Sequence, residues 1–245
     1  MAATSPEASI RLAESKVSSC LKPTASWDAA KGVWVGDHAM GEEPPRPLVV
    51  FGYGSLCWRP DTTLGDFDSF PCILRGWTRL FCQRSTDHRG TPEAPGLVVT
   101  LCETPTLAVL PGFESETVPD RVLGRAYIVP NALADGVVKE LDFREKGGYS
   151  RRVVDVERLD GQGSEVVRAL LYSGSVENPN FWWGDDGSGL NLDRAASIIA
   201  TAHGPSGPNV DYLRNLADFL REQGHVDKHI AELERRVDAI KTQNE

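Results

Sequence analysis

Leu48-Val49-Val50-Phe51-Gly52-Tyr53-Gly54-Ser55-Leu56 opens the patterned part of the chain. Its first four residues form a short apolar run with β-branched side chains. Such a run reads as a buried strand that feeds a tight loop. The glycines flanking Tyr53 free the backbone for φ > 0 and turn its N–H groups toward one point. A nest of that kind binds a carboxylate or a developing oxyanion; a plain tight turn carries the same residues. Three other readings fail on spacing. A phosphate-binding G-x-x-x-x-G-K-S/T string is absent. Cys57 stands where a G-x-G-x-x-G fingerprint needs its third glycine, and where a nucleophile elbow around Ser55 needs its second.

Outward from this strand, others are predicted over residues 70–84, 96–102, 122–129, 152–159 and 165–172. Val153, Val154 and Val156, then Val166, Val167, Leu170 and Leu171, supply strand-type side chains, and Asp160-Gly161-Gln162-Gly163 supplies a hairpin turn. Helices follow. Leu133, Val137, Val138 and Leu141 share a face behind Asn131, read as an N-cap. Leu192, Ala195, Ala196 and Ile199 follow Asn191, with Gly204 as the stop. Val210, Leu213, Leu216, Ala217 and Leu220 repeat after Asn209, and Ile230, Leu233, Val237 and Ile240 form a last amphipathic stripe. Strands dominate the first two thirds and helices the last. That order favours an α+β fold over alternating βαβ units.

The 245 residues are 40% hydrophobic and 25% charged, an ordinary globular composition. A net charge of -9 repels phosphate backbones and anionic lipid, so neither nucleic acid nor a membrane surface is an expected partner. No run of apolar residues is long enough to span a bilayer. The cysteines, at 20, 57, 72, 82 and 102, are odd in number and lack a C-x-x-C pair. They read as free thiols in a reducing, cytoplasmic setting. His225 and His229 are spaced i, i+4 without a zinc signature, and read as exposed polar residues near a helix start. Residues 1–46 are rich in Ala and Ser and read as a low-complexity, disordered or loosely docked extension. Residues 47–245 read as one domain.

Two further segments could carry chemistry. In Arg144-Glu145-Lys146-Gly147-Gly148-Tyr149 a helix ends at a glycine pair just ahead of a strand. A carboxylate there can approach a ligand closely, or simply cap a helix terminus. Arg75, Arg79, Arg84 and Arg89 stand against a single acid, Asp87. They form either a patch for an anionic small molecule or a solvated strand face.

Taken together, five ordered motifs resemble the ChaC family of glutathione-specific γ-glutamylcyclotransferases. They are Val50-Phe51-Gly52-Tyr53-Gly54-Ser55-Leu56-Cys57-Trp58, Ser85-Thr86-Asp87-His88-Arg89-Gly90, Val98-Val99-Thr100-Leu101, Leu141-Asp142-Phe143-Arg144-Glu145-Lys146-Gly147-Gly148-Tyr149 and Gly204-Pro205-Ser206-Gly207-Pro208-Asn209. The resemblance covers roughly residues 48–237. It implies a small mixed β-barrel-like sheet with flanking helices. It implies cleavage of glutathione to 5-oxoproline and cysteinylglycine by attack of the glutamyl α-amine on its own γ-carbonyl, with no metal or cofactor. Glu145 becomes the general base and acid. Val50, Phe51, Gly52, Tyr53, Gly54, Ser55 and Leu56 become substrate contacts, and Tyr149 a wall or hydrogen-bond residue. Arg84 is a candidate for the glycyl carboxylate, although the family more often has a small residue there. The chain departs from the family at Cys82, in the longer 104–121 connection, and at Phe181-Trp182-Trp183-Gly184. These departures bear on the outer pocket, and so on substrate strictness. The rival readings are a broader γ-glutamyl-peptide cyclotransferase, a non-catalytic binder on the same scaffold, and a serine hydrolase built on Ser55.

Overall fold

The computed structural model describes residues 26–28, 33–35, 42–60, 64, 67–111, 113, 120–145, 148–161 and 165–243. Two short strands, β1 (Ser26–Asp28) and β2 (Val33–Val35), pair antiparallel upstream of the main body. Glu42 then docks on the chain at Arg151 and Val153, giving its amide to the Arg151 carbonyl (3.3 Å) and accepting the Val153 amide (2.6 Å).

β3 (Val49–Gly52) begins the body. Its side chains alternate between two cores. Val49 and Phe51 join one cluster, while Leu48 and Val50 join another. Strand residues point alternately to opposite faces, so an unbroken apolar run means that both faces are covered. Next come β4 (Ser69–Arg75) and β5 (Trp77–Ser85). The single strand expected over 70–84 is therefore two, broken at Gly76, whose φ of +76° suits a residue without a Cβ. β6 (Gly96–Glu103) pairs with β5 as a separate ribbon, bulged between Leu80 and Gln83. After the short helix α1 (Thr104–Leu107) come β7 (Arg121–Ile128), α2 (Ala134–Arg144), β8 (Tyr149–Arg158) and β9 (Val166–Gly174).

β3, β7, β4, β8 and β9 close into a barrel in that order. Every pairing is antiparallel except the seam, where β3 runs parallel to β9 at Val50↔Leu170 and Phe51↔Leu171. A closed sheet leaves no free edge. The α+β, barrel-like architecture expected from the sequence is the one observed.

The remaining elements are α3 (Leu192–Thr201), the paired β10 (His203–Gly204) and β11 (Gly207–Pro208), α4 (Asn209–Glu222) and α5 (Lys228–Gln243). Their apolar stripes, among them Ile199, Leu213, Leu216 and Leu233, close the first core over the β5–β6 ribbon. α2 closes the second core with Val137, Val138 and Leu141.

The local signals are partly revised. Asn191 caps α3 as expected, its side chain accepting the Arg194 amide (2.9 Å). Asn131 lies instead in a 3-10 turn ahead of α2 and gives no side-chain cap. Gly204 is not the stop for α3, which ends at Thr201. It lies in β10, so close to His88 that a Cβ would fall 2.2 Å from the His88 carbonyl oxygen. His229 is buried, and its Nε2 accepts the Phe81 amide (3.0 Å), so it is a core residue rather than an exposed one. Burial holds it neutral, its pKa lowered to about 4. Cys57, Cys72, Cys82 and Cys102 are free and buried. Among the described residues no helix is long and apolar enough to cross a membrane.

Candidate active site

β3 delivers its loop to the point where the barrel, the β5–β6 ribbon and α4 meet. The bend is tight. A Cβ on Gly52 would lie 2.4 Å from the Leu56 Cβ, and one on Gly54 would lie 2.6 Å from the Tyr212 hydroxyl. The glycines are therefore required by close approach. Positive φ is not the reason, contrary to the sequence expectation: Gly54 has φ -114° and ψ -128°, and Gly52 is absent from the positive-φ glycines. A 3-10 turn over Ser55–Cys57 completes the bend, with the Cys57 amide on the Gly54 carbonyl (2.9 Å). The Tyr127 hydroxyl clamps the Leu56 carbonyl from β7. Among the described residues no acceptor is paired with the amide hydrogens of Gly54, Ser55 and Leu56.

Val50 and Phe51 sit elsewhere. Both are buried in the cores, and both lie in strand register, opposite Tyr127 and Ala126 on one side and Leu170 and Leu171 on the other. They hold the loop and present no side chain to a ligand.

Glu145 caps α2 from the opposite side. Its amide closes the last turn on the Leu141 carbonyl (2.8 Å), and its carbonyl accepts the Tyr149 amide (3.3 Å). The helix is fixed by a polar anchor one turn back. The Tyr172 hydroxyl of β9 donates to Asp142 (2.7 Å), and Arg151 of β8 lies 3.4 Å from the same carboxylate. Beyond Glu145 the chain reverses at Gly148 (φ +95°), whose carbonyl accepts the Asn178 side-chain amide (3.1 Å).

The electrostatics tie these pieces together. Burial pushes the Glu145 carboxyl above its usual range; Arg144 and His88 pull it down, and Asp87 pushes it up. Tyr53 is raised by burial and then by the charge of Glu145, and it shares a hydrogen bond with Thr100. Tyr149 is raised by burial, then by Tyr53, Glu145 and Tyr212. Coulombic effects of this kind require proximity. Three tyrosines and one carboxylate thus lie within electrostatic reach of one another, Tyr53 and Tyr212 buried, Glu145 and Tyr149 half-buried.

The arginines of the 75–89 segment do not converge. Arg75 pairs with Glu157 on the surface (2.6 Å), Arg79 is buried, and Arg89 donates to the Pro208 carbonyl (3.0 Å). Arg84 lines an outer groove of about 340 Å³ with Glu93, Trp182, Asp185 and Arg194. The patch for an anionic small molecule, one of the two readings of this segment, is thus not formed.

Sequence reasoning assigned no role to Thr100, Tyr212, Asn178 or the Asp87–His88 pair (2.8 Å), all of which surround Glu145 or its loop. Thr100 was the most visible of these, a hydroxyl in an otherwise apolar strand. Phe181 and Trp183 stack together (5.8 Å, 13°), and the segment carrying them runs beside β5, with the Trp182 amide on the Cys82 carbonyl (2.7 Å). Among the described residues no group of three or more His, Cys, Asp or Glu side chains is arranged to hold a metal ion.

A family model described as ChaC-like protein matches residues 48–240. A fission yeast (Schizosaccharomyces pombe) protein named glutathione-specific gamma-glutamylcyclotransferase is 38% identical, over 79% of this chain and 94% of its own. A human protein, glutathione-specific gamma-glutamylcyclotransferase 1, is 35% identical over 81% of this chain and 80% of its own. The crystal structure of the yeast γ-glutamyl cyclotransferase specific to glutathione superposes with a TM-score of 0.67. It is 28% identical, covering 78% of this chain and 96% of that one. A match across the whole barrel and its helices, from the strand before the glycine loop to the last helix, makes this chain a member of the ChaC-like family.

Proposed function

We propose that the chain is a glutathione-specific γ-glutamylcyclotransferase with Glu145 as its general base and acid. The observation that carries this reading is the half-buried carboxylate at the end of α2, within electrostatic reach of Tyr53 and Tyr149, together with a loop whose amide hydrogens meet no acceptor among the described residues. The names of the relatives support the same substrate.

The chemistry asks little else of the protein. The α-amino nitrogen attacks the γ-carbonyl carbon, the carbonyl electrons move to oxygen, and a five-membered ring closes. Collapse breaks the bond to the cysteinyl nitrogen and releases 5-oxoproline and cysteinylglycine. Because nucleophile and electrophile share one molecule, holding the ring-closing conformer is worth an effective molarity of about 10⁵–10⁸ M. An α-amino group with pKa ~7.7–8.0 is mostly protonated at neutral pH and cannot attack. Glu145 takes that proton and returns it to the departing nitrogen; the second proton, shed by the ring nitrogen on closure, leaves on the released cysteinylglycine amine as its ammonium, so the proton count balances. Amide hydrogens from residues 54–56 would hold either the α-carboxylate or the oxyanion. Tyr53 and Tyr149, held protonated by their surroundings, act as neutral donors or as walls. No metal or cofactor enters these steps.

A base works only when ionised, and burial raises the Glu145 carboxyl. The acid limb of kcat/KM is therefore expected at a pH above the ~4.3 of an exposed glutamate. Activity should fall as pH drops through that raised value. A kcat/KM profile that stays flat down to pH ~4 would remove Glu145 from the role.

The direct test is to incubate the purified chain with glutathione and follow 5-oxoproline and cysteinylglycine by chromatography. Equal rates with γ-glutamyl dipeptides would widen the specificity. Binding without product would make the chain a γ-glutamyl binder instead. A thiol substrate and four buried free cysteines fit a reducing, cytoplasmic location.

A further inference from the structure

One buried polar side chain in the site has no role in these steps. Gln83, on β5, is 3% exposed, and its Oε1 is buried with no hydrogen-bond partner among the described residues. The same side chain borders Gly174. From the point where a Cβ would stand on Gly174, Gln83 Oε1 is 3.0 Å away, Thr100 Oγ1 3.2 Å and Asn178 Nδ2 3.5 Å. Thr100 accepts the Gly174 amide (3.0 Å) and shares a hydrogen bond with Tyr53, while Asn178 holds the Gly148 carbonyl. Gln83 thus sits between the two supports of the Glu145 site, the Tyr53 loop and the turn into Tyr149. Its neighbour Arg84 lines the outer groove instead, as strand alternation requires.

A buried acceptor left unpaired is destabilising relative to a satisfied one, because it has lost its water and gained nothing in return. That cost disappears if a ligand brings a donor. The space already holds an acceptor at Glu145 and donors at the loop amides and tyrosine hydroxyls. An N–H group is the chemistry that the Gln83 oxygen lacks. We infer that Gln83 is a substrate-binding residue whose carboxamide oxygen accepts a hydrogen bond from an N–H of the γ-glutamyl group. This inference rests on the γ-glutamyl reading above. The donor is either the α-amine, which Gln83 would orient for attack, or the scissile amide.

The test is Gln83→Met, which keeps length and removes the acceptor. The melting temperature is expected to stay level or rise, because the unpaired oxygen is gone. Meanwhile kcat/KM for glutathione falls about tenfold, the ratio expected for losing one hydrogen bond of ~1–1.5 kcal/mol. A glutathione analogue lacking the α-amine, used as a competitive inhibitor, distinguishes the donors. Its inhibition is unaffected by Gln83→Met if the amine is the partner, and weakened if the amide is. Unchanged kcat/KM overturns the inference. So does a lower melting temperature with normal kcat/KM per folded molecule, which marks a structural residue. Failure of the proposed function is a separate result, the absence of 5-oxoproline with the wild-type chain. In that case calorimetry with glutathione decides: weaker binding by Gln83→Met supports the contact, and equal or absent binding overturns it.

Discussion

Glu145→Gln is expected to lower glutathione turnover roughly 10²–10⁴-fold, the range for removing a positioned acid or base. The replacement keeps the shape. The backbone of residue 145 is fixed by its bonds to Leu141 and Tyr149, and α2 is anchored independently through Asp142, Tyr172 and Arg151. What disappears is the ability to take a proton from the α-ammonium. Stability should not fall with it. The native pKa of Glu145 lies above its unfolded value, so between the two the native state binds more protons and stability declines as pH rises. At neutral pH the ionised carboxylate is thus a destabilising group, and its neutral replacement should melt at the same or a higher temperature. The same charge raises Tyr53 and Tyr149, so the variant should also ease both phenols back toward their ordinary range. A loss of turnover without a loss of melting temperature separates a chemical role from a structural one. Near-normal turnover in a well-folded variant would end the assignment of Glu145 as the base.

The parts of the molecule that were legible in its sequence are those governed by neighbours along the chain. The run before Gly52 announces a strand covered on both faces, and alternation assigns its residues to two cores. The helical stripes of α3, α4 and α5 appear as predicted, and that of α2 does so from Val137 on, because a 3.6-residue period needs only local sequence, whereas Leu133 stays exposed in the 3-10 turn ahead of α2. Glu145 is singled out by a helix terminus beside glycines, together with family motifs, and the structure places it at the end of α2. The misreadings concern long-range contacts. Gly52 and Gly54 look like conformational glycines until Leu56 and Tyr212 are seen to occupy the space of a Cβ. The arginines of residues 75–89 look like a patch until strand alternation sends Arg79 inward and Arg84 to an outer groove. Gln83 is one polar residue in a strand. Its significance emerges only where β6, β9 and the turn at Gly148 converge on it.

Asn209 is the other position where one change should have a large effect, and the reason is again a contact far along the chain. Its place after Pro208 and before an apolar stripe suggests a helix cap, but its side chain turns to β6. The carboxamide accepts the Leu97 amide (2.7 Å) and donates to the Leu97 carbonyl (2.7 Å), as a neighbouring strand would. Its own amide goes to the Ala202 carbonyl (2.9 Å). The residue is fully buried, so no water can replace these bonds. Gly96 makes the approach possible, since a Cβ there would lie 2.7 Å from the Asn209 oxygen. Asn209→Leu keeps similar volume and strands both polar groups of Leu97. Each unpaired group costs about 1–3 kcal/mol, so a total loss of about 2–6 kcal/mol is expected. Urea unfolding measures it as a lower midpoint at unchanged slope. The effect should reach the site as well. β6 also carries Thr100, three residues on, which holds Gly174 and Tyr53. A loosened Leu97 therefore predicts a raised KM for glutathione in the fraction that remains folded. An unshifted urea midpoint would show that the end of β6 is held by the surrounding core and not by this side chain.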